Sequence, residues 1–353
     1  MDLQEQELLT EYHHKKPVYE KLAKEAYNQI LKMIDENNFF VMDVQYRLKD
    51  SISLKDKLER KEGKYTSLQS VTDLCGLRIV CYFVDTVDEI SRALKKHFVL
   101  DEANSMDTRE RMVATQFGYM SLHRICSFPA GEGMDPEIVG IPFEIQIRTV
   151  LQHAWAEIEH DLGYKSDFDI PRAIRRNFSR VAGLLEIADI QFTKMREDSE
   201  KYNRDTHERI RLNDCDDVLL DNISLRAFVN DNAVFRDMVD RIAKDVHIDI
   251  EYTDPHSCIK QLEWFGFETL GDVKQLISNN LEFAINQIKK MIADFDVDIM
   301  TTSSLFRFLC EGELIRSNEP DVRIYNFLQL SLKEDDRIEK QLERIRNAAT
   351  SLS

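Results

Sequence analysis

The chain has no C-x-x-C pair, no internal repeat, no low-complexity tract, and no apolar run near the ~20 residues that span a bilayer. Its N-terminus, "MDLQEQELLTEYHHKK", also lacks the apolar core of a signal peptide. Its six cysteines (Cys75, Cys81, Cys126, Cys215, Cys258 and Cys310) are scattered, several inside apolar runs such as "LRIVCYFV". That pattern points to buried reduced thiols over disulfides or a zinc site. These lacks predict a cytoplasmic protein with no membrane association. The net charge of −17 argues against a surface made wholly to hold nucleic acid, while leaving room for a local basic site.

What remains is an ordinary globular composition, 43% hydrophobic and 31% charged over 353 residues, long enough for two domains. Helical spacing runs through residues 17–36, followed by a strand in "FFVMDVQYRLK" and a Lys-rich helix in "SLKDKLERKEGKY". "LCGLRIVCYFV" is the strongest strand signal and predicts a central strand buried on both faces. "DTVDEISRALKKHF" reads as an amphipathic helix with Asp85 as N-cap, and "DEANSMDTRERM" as a loop. "YMSLHRICSF" and "FEIQIRTV" are two further strands, and helices follow at roughly 150–162 and 171–203. From about 205 helical patterns dominate, with Thr269 and Asp272 in capping-box positions and one short strand in "IDIEYTDPHSC". The expected fold is therefore α+β, a mixed β-sheet flanked by helices over 1–205, then a mainly α-helical C-terminal domain over 206–353.

Three clusters could carry chemistry. Arg47, Lys49, Lys55, Lys57, Arg60 and Lys61 run from a strand end into a helix, a density that suits polyphosphate and equally a solvated helix face. Asp73 precedes the most apolar strand, which holds Gly76 and Arg78; a carboxylate there either caps a turn, pairs with a cation or binds a metal. Glu144, Gln146 and Arg148 share one strand face because side chains repeat every two residues. Opposite Asp73, Glu144 would complete a two-carboxylate site for Mg²⁺; on a solvent-facing strand it would do nothing. His153, Glu157 and His160 are spaced like a metal stripe on one helix, but without H-E-x-x-H they read as packing and hydrogen-bonding groups.

In order, four stretches resemble the synthetase domain of the RelA/SpoT family, which makes the alarmones ppGpp and pppGpp. They are "RLKDSISLKDKLERK", "DLCGLRIV", "GYMSLH" and "FEIQIRTVLQHAWAEIEHDLGYK", and the resemblance covers about 20–200. The resemblance implies a nucleotidyltransferase-like sheet that moves pyrophosphate from ATP to the ribose 3′-hydroxyl of GDP or GTP. It further implies that Asp73 and Glu144 hold Mg²⁺, with Glu144 activating the hydroxyl. Arg47, Lys49, Ser53, Lys57, Arg60, Lys61 and Arg78 would form the ATP site. Tyr119 would stack on the acceptor guanine, with His123, Gln146 and Arg148 nearby. "VATQFGYMSLH" departs from the P-K-x-N-G-Y run of many such synthetases, which leaves the acceptor open. About 46 residues precede Arg47, too few for the family's hydrolase domain, so synthesis without degradation is expected. The alternative is a toxic relative that pyrophosphorylates the 3′ end of tRNA, with Arg172, Arg175, Arg176 and Arg180 as a basic stripe and the C-terminal domain as inhibitor or sensor. Intact Asp73 and Glu144 argue against a third reading, a catalytically inactive alarmone-binding protein.

Overall fold

The computed structural model describes residues 3–61, 63–107, 121–131, 133–163, 172–295 and 297–350. The chain divides into two compact units, Met1–Arg196 and Glu197–Ser353. The first holds α1 (Leu3–Glu36), β1 (Val41–Leu48), α2 (Ser51–Arg60), β2 (Cys75–Cys81), α3 (Val84–His97), β3 (Val99–Asp107), β4 (Leu122–Ser127), β5 (Phe143–Thr149) and α4 (Val150–Gly163). The unit boundary falls within α5 (Arg172–Arg211). The five strands form one mixed sheet in the order β1-β2-β5-β4-β3; β2 and β5 run parallel and the other neighbours antiparallel. This is an α+β architecture, as the sequence pattern predicts.

Alternation along the strands builds the core. Leu77, Ile79, Ile145, Ile147, Leu122 and Cys126 pack with Leu22, Ile30 and Met33 of α1 and Ile90 and Leu94 of α3. Phe98, Phe128 and Phe143 meet with ring centroids 5.3 to 5.7 Å apart, in tilted and edge geometries that aromatic rings favour. Each such side chain contributes roughly 1.5–3 kcal/mol on full burial.

Four expectations are corrected. The first helix begins at Leu3, well before 17, and carries Pro17 inside it. Proline forfeits one backbone bond there, yet the apolar spacing continues upstream through Tyr12 and Leu8, both buried, and packing outweighs the loss. Asp85 is not the N-cap of α3. Phe83 is, so Asp85 falls in the first turn, where it accepts from the Thr86 N–H at 2.9 Å and pairs with Arg196. The segment read as a loop at 101–107 belongs to the edge strand β3, whose register breaks between Asp101 and Met106. Finally, β2 is an interior strand buried along most of its length, Val80 included, but not throughout: Gly76 and Arg78 are half-buried, because they look into an open cleft.

The second unit holds α6 (Asn222–Asp231), α7 (Ala233–Val246), β6 (Asp249–Glu251), α8 (His256–Trp264), α9 (Leu270–Phe295), β7 (Ile299–Thr301), α10 (Thr302–Arg316), α11 (Asp321–Leu328) and α12 (Asp335–Thr350). It has its own core, centred on residues such as Phe228, Phe235, Leu276, Phe306 and Leu309. Strand β6 lies where the sequence places one; its parallel partner β7 (Ile299–Thr301) is an addition to the sequence pattern. Ahead of α9, Asp272 Oδ2 accepts from the Thr269 N–H at 2.9 Å while its own N–H donates to Thr269 Oγ1 at 3.4 Å, the reciprocal capping pair.

All six cysteines are free and buried, and burial pushes the thiols of Cys75, Cys81 and Cys126 up to about 12. Among the described residues no helix is long and apolar enough to cross a membrane. Phe143, fully buried at the centre of the sheet, sets a test of the core. Phe143→Ala is expected to cost about 3–5 kcal/mol, measured by urea unfolding at Trp155 fluorescence in a Trp264→Phe background.

Candidate active site

Register decides which side chains meet. On the parallel pair, Gly76 stands beside Glu144 and Arg78 beside Gln146. Across β1, Arg47 stands opposite Gly76 and Gln45 opposite Arg78. Across β4, His123 stands opposite Gln146. Side chains alternate, so these residues share the sheet face turned away from the α1–α3 core. They line a cleft of about 610 Å³ together with Lys49, Asp50, Ser53 and Asp73 at one end and Ala156 and Glu157 of α4 at the other. Asp73 and Glu144, 71 residues apart in sequence, thus line one cleft, and the charge of Asp73 is felt at Glu144.

At one end of the cleft, Asp73 receives two lysines: Lys49 Nζ lies 3.0 Å from Oδ2 and Lys57 Nζ 2.7 Å from Oδ1. Burial works to raise the Asp73 pKa, but Lys57 and Lys49 outweigh it and hold the carboxyl below its usual range. Lys57 reaches the site because Asp50 starts α2, accepting from the Ser53 N–H at 2.9 Å. The Ser53 hydroxyl also donates to Asp50, at 2.6 Å. Arg60 and Lys61 continue the same helix face but are exposed and do not line the cleft.

Along the sheet face runs a row of hydrogen bonds. Ser121 Oγ and His123 Nε2 are 2.5 Å apart, and His123 Nδ1 and Glu144 Oε1 are 2.8 Å apart. Gln146 Nε2 donates to Glu144 Oε2 at 2.8 Å, and Arg148 Nη2 donates to Gln146 Oε1 at 2.7 Å. Burial would raise the Glu144 pKa, but the bonds from His123 and Gln146 outweigh it and keep the carboxyl ionised below its ordinary value. The opposite holds for Arg148. Burial, then the charge of Arg78, pull it down to about 9, with Glu157 opposing and Arg47 adding. It remains a cation at neutral pH. Arg47, Arg78 and Arg148 therefore repel one another across a half-buried face, and an anion bound among them relieves that repulsion.

Of the residues singled out in the sequence, Arg47, Lys49, Ser53, Asp73, Arg78, His123, Glu144, Gln146 and Arg148 line this cleft, together with Lys57 through its pair to Asp73. Tyr119 lies outside the described residues, as do the side chains of His160, Arg172 and Arg175. Ser121, Gln45 and Glu157 were missed as site residues. The sequence offers Glu157 only as part of a metal-like stripe; its carboxylate instead takes Arg78 Nη1 at 3.0 Å, with His153 at 3.6 Å. Asp50 could have been found, since Asp before "SISL" is an N-cap signal.

With this geometry in place, comparison with known proteins identifies the domain. Residues 46–169 match the family described as a region found in RelA / SpoT proteins. Over these residues the chain is similar to that family. Over 151 residues the chain is 29% identical to the GTP pyrophosphokinase YjbM of Bacillus subtilis, covering 42% of this chain and 69% of that one. Over 146 residues it is 29% identical to the GTP pyrophosphokinase YwaC of the same organism, covering 40% and 68%. The crystal structure of the small alarmone synthetase 1 from Bacillus subtilis aligns with a TM-score of 0.47 at 24% identity, over 54% of this chain and 98% of that one.

Two predictions follow from the cleft itself. A Cβ added at Gly76 meets no atom within 4 Å, so Gly76→Leu is expected to fold with an unchanged melting temperature while filling the cleft floor. Loss of nucleotide binding by calorimetry, with the melting curve intact, is the expected result. The second concerns pH. Glu144 has a lower pKa folded than unfolded, so its stabilising effect is complete above the ordinary value of 4.5 and disappears as pH falls through the folded value. In metal-free protein, the stability difference between wild type and Glu144→Gln should be flat from neutral pH to about 5 and narrow below 4.5 in urea titrations.

Proposed function

We propose that this chain is an ATP-dependent GTP pyrophosphokinase, which transfers pyrophosphate from ATP to the ribose 3′-hydroxyl of GDP or GTP to make ppGpp or pppGpp. The observation that carries this reading is the convergence of two ionised carboxylates with a set of Arg and Lys side chains on one cleft. Its support from relatives is the naming of YjbM and YwaC as GTP pyrophosphokinases.

Transfer of a pyrophosphoryl group requires the 3′-oxygen to attack the β-phosphorus of ATP, the bond from that phosphorus to the α-phosphate oxygen to break, and AMP to leave. Positioning and charge stabilisation dominate such chemistry. Arg47, Arg78, Lys49 and Lys57 supply the cations for the ATP phosphates. As phosphate draws Lys49 and Lys57 away, the oxygens of Asp73 are released for a metal. The donor set suits a hard divalent ion such as Mg²⁺, which takes one or two carboxylates and fills its other positions with phosphate and water. Asp73 and Glu144 would hold it; no larger His, Cys, Asp or Glu cluster competes among the described residues. When bound, the ion neutralises charge on the reacting phosphates.

Glu144, held ionised and oriented by His123 and Gln146, is the group that receives the hydroxyl proton. His123, Gln146 and Arg148 are assigned to the acceptor side, where they also steady Glu144. The second unit, with its own core and none of the cleft-lining residues, is assigned a regulatory role. Six buried free thiols and the lack of a membrane-spanning helix among the described residues support placing the protein in the cytoplasm.

Purified protein given Mg²⁺, labelled ATP and, side by side, GDP, GTP and deacylated tRNA is expected to label GDP or GTP. Glu144→Gln should lower the rate roughly 10³-fold or more. Label on tRNA alone would replace the alarmone reading by the toxin-like one, and label on none would remove the enzymatic reading.

A further inference from the structure

Tyr12 lies on α1 and belongs to none of the motifs discussed above. Its side chain is 1% exposed and packs against Tyr19 with ring centroids 5.6 Å apart. Its hydroxyl donates to the backbone carbonyl of Lys49 at 2.7 Å, across 37 residues of sequence. The same lysine's N–H donates to the Leu74 carbonyl at 2.9 Å. The Lys49 backbone is therefore held from two sides, by α1 and by the approach to β2, just past the end of β1.

Both lysines that meet Asp73 depend on this point. Lys49 extends from it to Asp73 Oδ2, and Asp50, the next residue, starts the helix that delivers Lys57 to Oδ1. Asp73 itself is the residue before Leu74. Lys49 and Lys57 bring their ammonium groups to one carboxylate, and Arg47 lines the same cleft, so these cations repel one another. In the resting cleft Asp73 offsets that repulsion. Once the lysines turn to phosphate, the side-chain tie to Asp73 is gone and the backbone ties remain. Burial pushes the Tyr12 phenol up to about 12, with the charges of Cys75, Asp50 and Asp73 adding, so the hydroxyl stays a donor throughout the physiological range.

We infer that Tyr12 is a positioning residue for the ATP phosphates: its hydroxyl fixes the Lys49–Asp50 strap so that Lys49 and Lys57 present their ammonium groups at the cleft end shared with Asp73. This rests on the proposed ATP site and adds to it a residue acting from outside the cleft. A small misplacement of such groups costs far more in rate than in fold stability.

The test compares Tyr12→Phe with wild type in the full chain. Expected are a rise of about tenfold in KM for ATP and a matching loss of ATP affinity by calorimetry, with KM for the acceptor unchanged. Tyr12→His, whose ring N–H can donate in place of the hydroxyl, should recover part of the loss and serves in its stead should the Phe variant not fold. Tyr19→Phe, equally buried on the same helix, is the control and should leave ATP affinity unchanged. In a Lys49→Ala background Tyr12→Phe should add less than it does alone, because the two act through one strap. A uniform drop in kcat with KM for ATP unchanged, or full additivity with Lys49→Ala, overturns the inference. If wild type transfers no label the proposed activity falls, and Tyr12 is then judged by ATP affinity alone; equal affinities, or no ATP binding by wild type, overturn it as well.

Discussion

The period-two alternation of β5, inside a sheet whose two faces have opposite character, is the constraint on which the site depends. Phe143, Ile145 and Ile147 lock the strand into the apolar core, and that leaves Glu144, Gln146 and Arg148 no place but the cleft. A slip of one residue would drive a carboxylate and a guanidinium into the core and three large apolar side chains out of it, so the register is strongly specified. Neighbouring strands inherit the choice. Gly76 and Arg78 come to one side of β5 and His123 to the other through backbone bonds alone, and packing that stabilises the fold also aligns the polar row.

Electrostatics then gives the cleft its character. A chain with a net charge of −17 gathers Arg47, Lys49, Lys57, Arg78 and Arg148 around two carboxylates. Some of these charges are matched at rest: Asp73 by two lysines, Arg78 by Glu157, Glu144 by donors from His123 and Gln146. These are pairings that a polyphosphate and a divalent cation can exchange for one another, since phosphate competes for the cations and metal for the carboxylates. At rest, therefore, the site holds internal partners for part of the charge that its proposed ligands would meet.

Much of this was legible in the sequence where local pattern decides structure. The apolar run of β2 and the alternation of β5 marked strands, the spacing of α3 marked a helix, and Thr269 and Asp272 marked a helix start. Non-local relations were less so. That Asp73 and Glu144 share a cleft depends on the pairing of β2 with β5, which no local pattern encodes. β3 was hidden because "VLDEANSMD" is polar and broken in register, its strand character coming from its partner β4. Pro17 disguised the continuity of α1, since buried Tyr12 and Leu8 lie beyond it. Glu157 sat in a pattern suggesting metal, and only the approach of Arg78 from another strand gives it a different partner.

The six buried cysteines have a practical consequence. Their thiols lie out of contact with solvent, and burial disfavours the thiolate that alkylating reagents need. Toward maleimides the folded chain should behave nearly as a cysteine-free background. A single cysteine introduced on an exposed helix face would then be the one fast-reacting thiol, and spectroscopic probes could be attached to either unit without first removing the native residues.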